Sequence, residues 1–90
     1  MAEPDPLRAL EISQNYLIIA AHRGGTFAEE ACQDVIAELE AMERDFGMSR
    51  EMREGLSEIL SDQSRDASDR ASEASGLIGA VLALTRDPKP

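Results

Sequence analysis

The sequence predicts an all-α fold. Apolar residues recur every three or four positions along most of the chain, and no segment alternates with period two. Tyr16, Phe27 and Phe46 are the full set of aromatics, so Leu, Ile, Val, Met and Ala must build the core. Those residues suit helices better than a sandwich. The expected arrangement is a small helical bundle, with two short helices and one long C-terminal helix, straight or split near 61–65. Ninety residues make a single domain, 1–90. So short a chain has a marginal core alone, which makes dimerisation the expected way to complete it.

The first helix spans 5–23, with Asp5 as N-cap and Pro6 where its missing N–H costs nothing. Leu7, Leu10, Leu17 and Ala21 form its stripe, Gln14 interrupts it and Ile18 widens it. Ile12 and Ile19 lie off the stripe, so this helix is apolar on more than one side. His22 and Arg23 suit the helix dipole in the last turn, and Gly24-Gly25 stops the helix.

The second helix, 26–46, opens on Thr26-Phe27-Ala28-Glu29, a capping-box pattern. Phe27, Ala31, Val35, Leu39, Met42 and Phe46 mark its apolar face, flanked by Ala28, Cys32 and Ile36, and Gly47 ends it.

Ser49 starts the third helix, 49–86, whose first apolar face is Met52, Leu56, Ile59 and Leu60. From Ser61 to Ser75 only Ala67, Ala71 and Ala74 are apolar. Asp66 and Arg70 are placed for a helical ion pair. Ser and Asp near 61–64 compete for backbone hydrogen bonds and could kink the helix there. Leu77, Ile78, Val81, Leu82 and Leu84 form a fresh apolar block, and 87–90 is a tail. Gly76 and Gly79 each cost a helix about 1 kcal/mol, so a close packing contact is expected at both. A straight helix from Ser49 to Thr85 would reach about 55 Å, against about 30 Å for each short one, leaving apolar surface for a partner. Ala67, Ala71, Ala74, Ile78, Val81 and Leu82 are the expected packing and dimerisation residues.

Eighteen acids against nine Lys and Arg give a net charge of −9. Such a surface repels nucleic acid and anionic membranes, and no aromatic platform for bases accompanies it. A basic protein is not repelled. The acidic N-terminus does not read as a signal peptide, and the longest apolar run, Gly76 to Leu84, is far shorter than the roughly 20 residues of a membrane span. The lone Cys32 fits a reducing compartment, and the expected location is the cytoplasm.

Reactive chemistry is sparse. His22 reads as a helix C-terminal residue rather than a base. Cys32 sits among apolar residues with Glu29, Glu30 and Asp34 nearby, which oppose a reactive thiolate. The turn His22-Arg23-Gly24-Gly25-Thr26 lacks the Lys and glycine spacing of a phosphate loop. Glu30, Asp34 and Glu38 line one helical face, as a solvated face, a weak cation site or a docking face for a basic protein. Neither a di-iron helix motif nor an EF-hand loop is present, and no cofactor is expected.

The expected function is therefore that of a non-enzymatic helical interaction module, a small regulator, adaptor or chaperone that contacts itself as a homodimer, another protein, or both. One alternative is an acidic antagonist, antitoxin-like, that fills the basic groove of a target. Another is an accessory subunit of a larger complex or a weak carboxylate metal-site protein.

Overall fold

A computed structural model describes residues 6–86, which fold into four helices with no strand among them. The helices are α1 (Pro6–Arg23), α2 (Gly25–Phe46), α3 (Arg50–Ser61) and α4 (Ala67–Arg86). The proposed Asp5 cap and the 87–90 tail lie outside the described residues.

Gly24 alone joins α1 to α2. Its φ of 66° and that of Gly25, 59°, belong to the left-handed region that glycine enters without a Cβ clash. The Gly24 carbonyl accepts from Ala28 N–H at 3.2 Å, so α2 starts earlier than the capping-box reading placed it. Thr26 is thereby inside the helix and caps nothing, and Glu29 turns elsewhere. Gly47, at φ 76°, ends α2 with backbone N–H groups returned to the Met42 carbonyl. Ser49 caps α3, its hydroxyl accepting from Met52 N–H at 3.1 Å.

The long third helix takes its split form. Asp62 accepts hydrogen bonds at Oδ1 from both the Ser64 N–H (3.0 Å) and the Ser64 hydroxyl (2.6 Å), a local turn that competes with helix. Residues 62–66 leave the helical path. At 12 and 20 residues, α3 and α4 are about 18 and 30 Å long, so α1 and α2 can match them.

α4 folds back antiparallel along α1. Gln14 Nε2 donates to the Ser75 carbonyl at 3.5 Å, and the Ser68 hydroxyl donates to the Ala21 carbonyl at 2.5 Å. A Cβ on Gly79 would stand 2.6 Å from Gln14 Nε2, so this glycine leaves room for the end of the Gln14 side chain. Gly76 has no such neighbour; its expected packing contact is absent because it faces open space.

Leu17, Leu39, Leu60 and Ile78, one from each helix, are fully buried and centre the core. Each contributes about 1.5–3 kcal/mol by burial. Ile18, expected to widen the α1 stripe, is instead 40% exposed, and Ala20 takes the buried place.

Candidate interaction surfaces

Arg70 is the one buried cation among the described residues, only 2% exposed. It does not pair with Asp66, as its spacing suggested. Instead its Nη2 donates to Glu29 on α2 at 2.9 Å, Nη1 to the Leu60 carbonyl at 2.8 Å, and Nε to the Arg65 carbonyl at 3.1 Å. It thus satisfies a carbonyl at the end of α3 and one in the turn that follows. The break in the helix explains this: once the chain turns at Asp62, the end of α3 lies beside the start of α4. A concavity of about 690 Å³ opens here, next to Glu29, Arg65 and Arg70. Both guanidinium groups in it are engaged, since Arg65 pairs with Glu73.

The residues expected to pair helices divide into two groups. Ala67, Ala71, Ala74, Ile78 and Leu82 are buried within the single chain, where they receive α1 and α2. Val81 is partly exposed and lines a shallow apolar groove between α3 and α4 with Met52, Gly55, Ile59 and Leu77. Past Met52 and Val81 a second hollow continues toward Phe46 and Met48. Leu77 is 45% exposed and Leu84 82%, on the same helical face as Val81.

On the opposite part of the bundle, Glu30, Asp34 and Glu38 are all exposed along α2. Tyr16 of α1 donates its hydroxyl to Asp34 Oδ2 at 2.9 Å. That hydrogen bond, with desolvation and the charges of Asp34 and Glu30, raises the tyrosine pKa. Its ring meets Phe27 edge to face at 5.9 Å, and the Arg23 guanidinium lies 4.5 Å from the centre of the Phe27 ring. Between the two helices a cleft of about 520 Å³ is lined by Ile12, Tyr16, Val35 and Ala37, with Asp34 and Glu38 at its side. Ile12 and Ile19, off the core stripe as their spacing implied, are 58% and 52% exposed.

Among the described residues no three His, Cys, Asp or Glu side chains come close enough to hold a metal ion. The His22 ring nitrogen Nδ1 is engaged with the Ile18 carbonyl at 3.1 Å. Cys32 is buried and directs its thiol to the Ala67 carbonyl, and burial pushes its pKa up. No described helix is long and apolar enough to cross a membrane.

The sequence singled out the acidic stripe and the alanine face but gave Arg70 the wrong partner, since its partners lie 5, 10 and 41 residues away. The chain matches no protein family, and no curated protein or solved structure is significantly similar to it.

Proposed function

We propose that this chain is a non-enzymatic interaction module and that one of its partners is a second copy of itself. The apolar strip of Leu77, Val81 and Leu84, beside the α3–α4 groove, carries this reading. Two chains of net charge −9 repel each other over most of their surfaces. Of the residues lining the groove and its continuation only Glu51 is charged, so like-charged copies approach there at least cost. A strip set against its own copy also meets the symmetry of a two-fold dimer. The engaged His22 ring and the buried thiol of Cys32 support a protein that works by contact rather than bond chemistry.

Sedimentation equilibrium at low and high salt tests it. The expected species is a dimer at both, with Leu77→Glu/Leu84→Glu a monomer of unchanged helical circular dichroism. A monomeric parent protein at micromolar concentration would refute self-pairing.

The exposed stripe of Glu30, Asp34 and Glu38 favours a second reading, an acidic antagonist of a basic target groove. Its binding would weaken steeply with salt.

A further inference from the structure

We infer that the cleft between α1 and α2 receives the apolar side of a basic amphipathic helix from another protein. The inference rests on the interaction reading but not on self-pairing, which uses the α3–α4 face.

Two parallel lanes make up the surface. Ile12, Tyr16 and Ile19 fall at i, i+4 and i+7 on α1, so they share one outward stripe. Ile12 and Ile19 keep 58% and 52% of their surface in contact with solvent. Beside them on α2, Glu30, Asp34 and Glu38 repeat every four residues. Tyr16 binds the lanes together through Asp34, and Val35 and Ala37 line the cleft between them. Each lane runs for about 11–12 Å, the length of two to three helical turns. An incoming helix with apolar residues at the same spacing would cover the α1 lane, and Lys or Arg on its flank would face the α2 lane.

Charge selects the occupant. A second copy of this chain offers no strongly basic helix, since its most basic one, α1, sets only Arg8 and Arg23 against Glu11, and an anionic lipid surface meets the same acidic lane. None of the three acids has an ion pair among the described residues, so their charge is open to an incoming cation. Arg8 and Arg23 stand at the two ends of the α1 lane. The basic residues of the occupant therefore lie over the middle of the lane, toward α2, and not at its ends.

The test uses synthetic 14-residue helical peptides titrated into the full chain, followed by amide NMR shifts and calorimetry. One has a Leu stripe flanked by Lys. A second has Glu in place of each Lys, and a third scrambles the first to remove the stripe. The expected result is saturable one-to-one binding of the first alone, with shifts centred on Ile12, Tyr16, Asp34 and Glu38. Asp34→Lys/Glu38→Lys should weaken it by about tenfold, with a shallower salt dependence. Ile12→Ser, at a site 58% exposed, should weaken it with the salt dependence retained. Equal binding of the scrambled peptide would overturn the cleft in favour of a merely acidic face. Shifts on Leu77 and Val81, or no binding, would overturn it too. Repeating the titration on Leu77→Glu/Leu84→Glu separates this outcome from failure of self-pairing, because that variant keeps the cleft and lacks the strip.

Discussion

Arg70 Nη2 donates to Glu29 Oε2 at 2.9 Å, joining a guanidinium with 2% of its side chain exposed to a carboxylate with 45% exposed. The two partners are therefore unequal. Water can take over for Glu29 if the pair is lost, whereas the bond from Arg70 to the Leu60 carbonyl is buried.

Arg70→Met should cost about 2–4 kcal/mol, since it leaves two carbonyls short of a donor. Glu29→Gln should cost about 1 kcal/mol, because the exposed side is rehydrated and the amide oxygen still accepts. Urea unfolding checks both. Equal losses would contradict the asymmetry.

The helical glycines should split by what surrounds them. Gly55 and Gly76 face open space, so Gly55→Ala and Gly76→Ala should each stabilise by about 0.5–1 kcal/mol. Gly79→Ala displaces the end of Gln14 and its hydrogen bond to the Ser75 carbonyl, which offsets part of the same gain. Thermal unfolding of the three variants ranks them. A gain at Gly79 equal to the other two would remove its packing role.

Acid should weaken the α2–α3 corner. Arg53 Nε donates to Glu43 at 2.7 Å and holds its carboxyl below the usual carboxylate range, aided by Arg50 at 3.3 Å. The unfolded chain then takes up that proton at a higher pH than the folded one. The stabilisation is complete above the ordinary carboxylate range and is lost as pH falls through the lower folded value. Urea midpoints of the parent and Glu43→Gln should differ at neutral pH and converge in acid. A constant difference would sink the assignment.

Tyr16 is the single tyrosine of a chain without tryptophan, so its ionisation can be followed by absorbance alone. It should titrate above the ordinary tyrosine range. Asp34→Ala, which removes both the hydrogen bond and the charge, should bring it back toward that range. An unmoved titration would mean that the Tyr16–Asp34 bond does not persist in solution.

Helical periodicity is a local property, so all-α content was legible from spacing alone. The Ser49 cap and the Gly47 stop were legible too, because each acts within a few residues. Thr26 and Glu29 show the limit. They fit a capping box, yet Gly24 and Gly25 start the helix first and Glu29 is drawn to Arg70. The turn at Asp62 had a visible cause in its Ser and Asp residues, but whether they or the helix would prevail depended on Arg70, Leu60 and Glu29 meeting in space. The acidic lane was readable as a face. The second apolar side of α1, with Ile12 and Ile19, was readable as well, but not its place beside that lane, which exists only once α2 lies against α1.

The thiol of Cys32 rests against the Ala67 carbonyl, where α4 begins. A thiol reagent can reach this buried group only after the helices packed over it part. Labelling kinetics therefore time a specific opening event, in a chain where no other cysteine competes for the reagent. If labelling is as slow as global unfolding, α4 and the rest of the bundle open as one unit. If it is faster, part of the bundle opens on its own, and the inner face of α2 is exposed each time it does.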